Sequence, residues 1–204
     1  MRIVILTGAG ISAESGMGTF RDKGGLWENA DLMKLATPEG FAEDPAAVQD
    51  PKFSSTGAEV TLVTQNVDDL HERAGSTDVI HMHGTHLLAL CSDCGHRWPA
   101  PEVMSVETRC ECGGMARPDV VWFGEVPYHM ERIGAALEQA DLFVAIGTSG
   151  VVYPAAGFVR AAHEYGADTL ELNLAPSERA SDFADARFGP ATQVVPEWVA
   201  DILT

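Results

Sequence analysis

Residues 2–12 read Arg2-Ile3-Val4-Ile5-Leu6-Thr7-Gly8-Ala9-Gly10-Ile11-Ser12, an unbroken apolar run that stops on a glycine-rich turn. A run without polar alternation suits a strand buried on both faces. Glu59 to Thr64, Leu142 to Gly147 and Thr169 to Leu174 repeat the pattern. Helical stretches separate these runs. Tyr128 to Ala140 places Ile133, Ala136, Leu137 and Ala140 on one stripe, and Pro154 to Tyr165 does the same with Ala155, Phe158, Val159 and Ala162. Pro154 fits a first helical position and Gly166 the left-handed residue past the end, while Asp44-Pro45 and Val195-Pro196-Glu197 read as two further helix starts. Strands alternating with helices predict an α/β fold with a doubly wound parallel sheet.

Ligands of such sheets collect beyond the carboxyl ends of the strands. Gly8-Ala9-Gly10 follows the first strand directly, and its missing side chains would let backbone amides approach a pyrophosphate; a plain turn is the alternative. The next residues, Ile11-Ser12-Ala13-Glu14-Ser15-Gly16-Met17-Gly18-Thr19-Phe20-Arg21-Asp22, form a polar, glycine-broken loop where a dehydrogenase would run an apolar helix. Simple hydride transfer is therefore disfavoured. Thr64-Gln65-Asn66-Val67-Asp68 ends the next strand, with Asp69, His71 and Glu72 on a short helix closed by Gly75. Asn66 and Asp68 fit either helix caps or partners for an amide and ribose hydroxyls. In Ile80-His81-Met82-His83-Gly84-Thr85, His83 is a candidate general base, because an imidazole titrates near neutrality; a hydrogen-bonded structural role is the alternative.

The chain has four cysteines, Cys91, Cys94, Cys110 and Cys112, spaced C-x-x-C and C-x-C beside Gly95, Gly113 and Gly114. Two short knuckles of this kind suit one tetrahedral zinc ion, with disulfides or free thiols as alternatives. The chain opens on a strand with no leader-like segment, so a reducing, cytoplasmic setting is expected, and there thiols favour metal. Four protein ligands leave no position for substrate, which makes the expected zinc structural. The 204 residues hold no apolar run near the roughly 20 needed to span a bilayer. The net charge of −17 disfavours nucleic acid, whose phosphates need basic partners, and suits lysine-rich ones; it also serves solubility alone.

Taken together, these residues resemble the sirtuin family of NAD-dependent protein deacylases. The resemblance rests on Gly8-Ala9-Gly10-Ile11-Ser12, Gly16-Met17-Gly18-Thr19-Phe20-Arg21, Thr64-Gln65-Asn66-Val67-Asp68, His83-Gly84, the four cysteines, Trp122-Phe123-Gly124-Glu125, Gly147-Thr148-Ser149, Val152-Tyr153-Pro154-Ala155 and Asn173-Leu174. Gly25-Leu26-Trp27-Glu28 and Thr37-Pro38-Glu39-Gly40-Phe41 are most similar to the bacterial and mitochondrial branch that often removes acidic acyl groups. The fold implied is one catalytic domain. A Rossmann-like lobe (1–29, 59–86 and 118–204) binds NAD against a small lobe made of a helical part (30–58) and a zinc ribbon (87–117).

The resemblance implies a role for individual residues. Gly8, Ala9, Gly10, Ser12, Ala13 and Glu14 would cradle the dinucleotide; Thr19, Phe20, Arg21, Asp22 and Trp27 would belong to a mobile loop over the reacting ribose. Gln65, Asn66, Val67, Asp68 and His83 would line the nicotinamide and ribose pocket. Gly147, Thr148, Ser149, Asn173, Leu174, Ala175 and Ala191 would line the adenosine end. Phe123, Gly124, Glu125, Val151 and Val152 would flank an acyl-lysine peptide added as a strand, with Val121 and Phe123 walling the lysine tunnel. In the implied reaction the acyl oxygen attacks the ribose carbon that carried nicotinamide, giving an imidate, and His83 then draws a proton from the ribose hydroxyls so that one can attack the imidate carbon. Free lysine, nicotinamide and acyl-ADP-ribose result; the oligomeric state is left open, with a monomer compatible.

One departure stands out. Only Pro51 to Val60 separate Val48-Gln49-Asp50 from Thr61-Leu62-Val63, where the family carries a longer helical segment, and no Tyr and Arg pair stands there to hold an acyl carboxylate. The abrupt join at Asp50-Pro51-Lys52-Phe53-Ser54-Ser55 reads as a segment missing from the sequence, with a naturally or deliberately short lobe as the alternative. Acyl preference is therefore not assigned residue by residue. An NAD-dependent ADP-ribosyltransferase and a non-catalytic NAD or peptide reader are the rival functions, and an intact His83, Asn66 and Asp68 set weighs against the reader.

Overall fold

The structure, a computed structural model, describes residues 1–12 and 58–202. The strands in chain order are β1 (Arg2–Thr7), β2 (Glu59–Thr64), β3 (Val79–His81), β4 (Gly84–Cys91), β5 (Arg97–Pro99), β6 (Ala116–Val120), β7 (Leu142–Ile146), β8 (Asp168–Asn173) and β9 (Asp185–Phe188). The helices are α1 (Leu70–Arg73), α2 (Met130–Glu138), α3 (Phe158–Glu164) and α4 (Ala191–Ile202). β1 has buried residues from Ile3 to Thr7, so it needs a neighbour on each edge and a layer on each face. It finds all four. The six-stranded sheet runs β3-β2-β1-β7-β8-β9 with every pair parallel. Its winding reverses between β1 and β7, which makes their carboxyl ends the natural crevice for a ligand.

Alternate residues of the central strands feed two apolar layers. Val4, Leu6, Phe143 and Ala145 pack with Ile133 and Leu137 of α2 and with Phe158, Val159 and Ala162 of α3. Ile3, Ile5, Val144, Ile146, Leu170 and Leu172 pack on the other face with Val194, Val195 and Trp198 of α4. Each such side chain contributes about 1.5–3 kcal/mol on full burial, so the β1–β7 corner rests on two packed apolar layers. The expected doubly wound α/β architecture is what the chain adopts.

Some local expectations change. Val195-Pro196-Glu197 does not start a helix: Pro196 lies inside α4, which opens directly after Gly189-Pro190. An interior proline costs about 3 kcal/mol, yet Val194, Val195, Trp198 and Val199 are all buried on one stripe and outweigh it. The stretch from Pro154 begins as a tight 3-10 turn over Ala155–Gly157 before α3, and Gly166 takes the left-handed φ of 91° expected beyond the helix. The short, half-buried β9 had no apolar run to announce it. The Asp44-Pro45 start, the helical part of the small lobe up to residue 57 and the join at 50–55 lie outside the described residues.

A second sheet, antiparallel in the order β5-β4-β6, is inserted between β3 and β7. Its own apolar core is minimal: among the described residues from 87 to 117, Ala89, Cys91 and Cys110 are the buried apolar ones. No helix among the described residues is long and apolar enough to cross a membrane.

Candidate active site

Three glycines form the corner at the switch point. The Gly8 and Gly10 amides donate to the carbonyls of Ile146 and Gly147 at 3.0 and 2.9 Å, which draws the β1 turn against the β7 turn. A Cβ on Gly8 would lie 2.7 Å from the Gly147 carbonyl oxygen, and one on Gly10 would lie 2.7 Å from the Gly147 Cα. Gly147 itself has a φ of 62°. The glycines are thus demanded by the meeting of two backbones, and the Gly8 and Gly10 amides are engaged within the protein instead of facing a phosphate as the sequence suggested. Ala9 to Ile11 continue as a 3-10 turn whose end holds Ser12, which is buried.

Gln65 to Asp68 leave β2 beside that corner. Asn66 is 3 % exposed; its Nδ2 donates to the Gly8 carbonyl at 3.2 Å and to Ser12 Oγ at 3.1 Å, while its Oδ1 has no partner. Asp68 Oδ1 accepts the Leu70 amide at 3.1 Å and Oδ2 accepts from Ser12 Oγ at 3.4 Å. Burial raises the Asp68 carboxyl above its ordinary value, against the pull of the Leu70 amide. Three imidazoles then pin three successive carbonyls: His83 Nδ1 lies 3.1 Å from Gln65 O, His81 Nδ1 3.2 Å from Asn66 O and His86 Nδ1 2.5 Å from Val67 O. His86 reaches back because the β4 register against β6 shifts between Thr85 and Ala89, and such a bulge re-aims side chains. The alternation His81, His83 was legible in the sequence; the carbonyls they meet were not.

A carbonyl only accepts, so the His83 Nδ1 must carry the proton and Nε2 is left as the basic nitrogen. Burial lowers the His83 pKa below 6.5, partly offset by the Gln65 carbonyl, so the ring is neutral at pH 7. Gly84, at a φ of 78°, fixes the ring's backbone, since a Cβ there would sit 2.0 Å from the Asp119 carbonyl oxygen.

Behind this layer, His71 Nε2 bonds Thr7 Oγ1 at 2.9 Å, and the ring is 5 % exposed. Burial brings its pKa down to about 4, with Glu72 opposing and His81 assisting. The unfolded chain therefore binds a proton that the folded one refuses between roughly pH 6.5 and 4. Stability from this group is complete above that window and is lost as pH falls through it, about 3 kcal/mol in all. Urea unfolding at pH 7 and pH 5 should differ less in His71→Gln than in the parent, by about 2 kcal/mol; an equal difference would remove His71 from the acid response.

On the other side of the switch point, Thr148 is buried and its carbonyl accepts from Asn173 Nδ2 at 2.7 Å. Glu171, 1 % exposed, accepts from Asn173 Nδ2 at 3.2 Å and from the Ser177 amide at 3.0 Å, ordering the turn that carries Leu174 and Ala175. Nothing in the sequence marked Glu171, because a carboxylate inside an apolar run is visible only with its partners. Leu174 and Val151 are exposed, Ser149 and Val152 half-buried, and Ala191 opens α4. At the end of β6, the Val121 amide donates to the His83 carbonyl at 2.9 Å, and Phe123 beyond it is 92 % exposed. Glu125 turns its carboxylate to Arg117 and the Trp122 amide. Ala13, Glu14, Thr19, Phe20, Arg21, Asp22 and Trp27 lie outside the described residues.

The four sulfurs converge at the far end of the small sheet, all within 4.8 Å of one another. Cys91–Cys112, Cys94–Cys110 and Cys94–Cys112 lie 3.5, 3.7 and 3.4 Å apart. Tetrahedral zinc with bonds of about 2.3 Å asks for sulfurs about 3.8 Å apart, so the set fits that ion. Disulfides would need about 2.05 Å, and all four thiols are free. The Cys94 and Asp93 amides donate to Cys91 Sγ at 3.5 and 3.4 Å, and the Cys94 amide leads in lowering that thiol to about 7. Gly95 and Gly113 take φ of 72° and 90°, the turns expected of two knuckles.

The β1–β7 corner bears on NAD as the four sulfurs bear on zinc. An unpartnered, buried Asn66 Oδ1 and an Asp68 carboxylate sit between a glycine corner and a basic imidazole, which suits a ligand bearing an amide and sugar hydroxyls.

The protein-family model described as Sir2 family matches residues 8–59 and 52–154. A Caulobacter vibrioides protein named NAD-dependent protein deacylase is 48% identical over 231 positions, covering 100% of this chain and 97% of that protein. Against the 204 residues of the chain this leaves 27 positions of that relative facing a gap, and the two family matches meet at 52–59, next to the join. An Escherichia coli (strain K12) protein of the same name is 48% identical, covering 99% of this chain and 82% of that protein. Among solved structures, a Sir2 homologue in complex with NAD gives a TM-score of 0.81 at 34% identity, covering 100% of this chain and 91% of that one. A Sir2–p53 peptide–NAD+ complex gives 0.76 at 27% identity, covering 98% and 91%.

Proposed function

The chain belongs to the Sir2 family, and from that premise we propose that it is an NAD-dependent protein-lysine deacylase with His83 as its general base. The observation that carries the base assignment is the His83 ring: Nδ1 is committed to Gln65 O, burial keeps it uncharged, and its backbone carbonyl accepts from the Val121 amide. Asn66 and Asp68 would hold the nicotinamide amide and the ribose, Thr148, Ser149, Asn173, Leu174 and Ala175 the adenosine end. NAD supplies the electrophilic ribose carbon and the leaving nicotinamide. What the chain supplies is orientation and one proton acceptor. Asn66 keeps the pocket polar at one point, Asp68 is fixed by the Leu70 amide and Ser12, and His83 Nε2 takes a hydroxyl proton. Zinc would be held by Cys91, Cys94, Cys110 and Cys112 and would shape the small sheet, taking no part in the chemistry.

The substrate would be an acyl-lysine in an extended peptide, paired as an added strand between the 121–125 and 151–152 segments. Residues 1–29, 59–86 and 118–204 would form the nucleotide lobe, and the rest the small lobe. A reducing cytoplasm suits a chain whose four cysteines are free.

Mass spectrometry of products from NAD and a panel of acyl-lysine peptides tests the reading. Free lysine peptide with acyl-ADP-ribose is the expected result; label from NAD carried onto protein would indicate ADP-ribosyl transfer instead, and no consumption of NAD would leave only binding. If the 51–60 stretch is naturally short, no Tyr and Arg pair stands there to prefer an acidic acyl group. Acetyl- and succinyl-peptides should therefore show kcat/KM values within about tenfold of each other. A strong succinyl preference would contradict a naturally short 51–60 stretch.

A further inference from the structure

Arg117, the second residue of β6, makes an unusual number of contacts for a surface arginine. Its Nη1 donates to Glu125 Oε1 at 2.6 Å, its Nη2 to Glu125 Oε2 at 2.7 Å and also to the Val120 carbonyl at 2.7 Å. The same guanidinium lies over the Trp122 ring, 3.6 Å from its centroid. Glu125 Oε2 in turn accepts the Trp122 amide at 2.8 Å, and the Glu125 amide donates to the Trp122 carbonyl at 3.0 Å, closing the turn. The Arg117 side chain is only 14% exposed, and it leads in holding the Glu125 carboxyl down to about 2.

Without these bonds the turn has little reason to stay open. Phe123 is 92 % exposed and Val126 78 %, and neither is packed in a buried cluster. An unrestrained loop of that composition would sample collapsed shapes, and a ligand would meet the ordering cost on binding. The guanidinium replaces packing with a fork of directed bonds. It also reaches the reaction centre through the backbone: Arg117 holds Val120, and the next amide, Val121, holds the His83 carbonyl.

We propose that Arg117 is a positioning residue for the acyl-peptide substrate, clamping Glu125 so that the 121–125 turn keeps its main chain presented and Val121 and Phe123 set against the acyl-lysine. The inference rests on the deacylase reading above. Glu125 then serves the substrate indirectly, by bracing the turn from behind.

The test uses the full zinc-loaded chain with Arg117→Met, Arg117→Lys and Glu125→Gln. An ammonium cannot make the planar fork, so Arg117→Lys should behave like the methionine variant, and as a milder change it guards against simple misfolding. In both, the peptide KM should rise about tenfold or more while the NAD KM stays within about twofold. Glu125→Gln should fall between. Hydrogen exchange at the Trp122 amide should quicken about tenfold or more in Arg117→Met, a readout independent of turnover. Peptide and NAD KM rising together would mean a general loss of structure and would overturn the proposal. Unchanged exchange at Trp122 would overturn the clamp by itself, whereas absence of deacylation in the parent chain would overturn the deacylase reading and with it the substrate role.

Discussion

His83→Ala should lower kcat to or below the detection limit, a loss of about 10²–10⁴-fold, while NAD affinity and zinc content stay close to those of the parent. The first half follows from the ring's electronic state. Its Nδ1–H is held by Gln65 O, so the basic nitrogen is Nε2, and burial keeps the ring unprotonated at neutral pH. Alanine removes that nitrogen and with it the proton acceptor. The second half follows from connectivity. What fixes the backbone here is the Val121 amide on the His83 carbonyl and the close approach of Gly84 to Asp119, both main-chain features that survive the substitution. Asn66 and Asp68 keep their bonds to Gly8, Ser12 and Leu70. Isothermal titration with NAD, metal analysis and single-turnover assay check the three claims together. Retained turnover would remove His83 from the role, and lost NAD binding would recast it as a scaffold of the pocket.

The lowered pKa gives the same prediction a pH dimension. A base that must be neutral fails as it gains a proton, so the acid limb of kcat/KM should fall below the ordinary imidazole value of 6.5. His71 is also lowered by burial but acts on stability, and the two separate cleanly: His71→Gln should flatten the unfolding response and leave the position of the kinetic limb unchanged.

How far this site could be read before the structure depended on whether each signal was local. β1 and β7 were legible because both of their faces are buried, so that apolarity needed no partner to interpret it. The thiols were legible because two close pairs carry their own geometry. Gly8 and Gly10 were legible as a special turn, but the reason was not: it lies in Gly147, more than a hundred residues away along the chain, and a sequence shows no backbone contacts. Glu125 had the same fate, since its carboxylate is defined by Arg117 in another element. Pro196 misled because local propensity favours a helix start, whereas the stripe from Val194 to Val199 decides that the helix runs on.

Removing the metal is expected to have the other large effect, and the small sheet shows why. A three-stranded sheet needs an apolar face to stand, and this one buries only Ala89, Cys91 and Cys110 from its own described residues between 87 and 117. Its side-chain ties are polar: Arg97 of β5 on Asp119 of β6 at 2.7 Å within the sheet, and Tyr128, from the segment before α2, on the same carboxylate at 2.8 Å. Without the ion the four sulfurs are thiols joined only by weak S–H···S contacts of 3.4 to 3.7 Å, so the bonds that define β4, β5 and the Cys110–Cys112 knuckle depend on the ion. Structural zinc sites of this kind supply about 10–16 kcal/mol, far more than that sheet can gather from burial. Cys110→Ser, or a strong chelator, should therefore release about one zinc per chain and free the amides of residues 87–117 to exchange, with turnover lost because β6 carries Val121 and the 121–125 turn. The large sheet should keep its own protection, since both of its apolar layers lie elsewhere. Protection of 87–117 that persisted in the metal-free chain would show that the sheet stands without its ion.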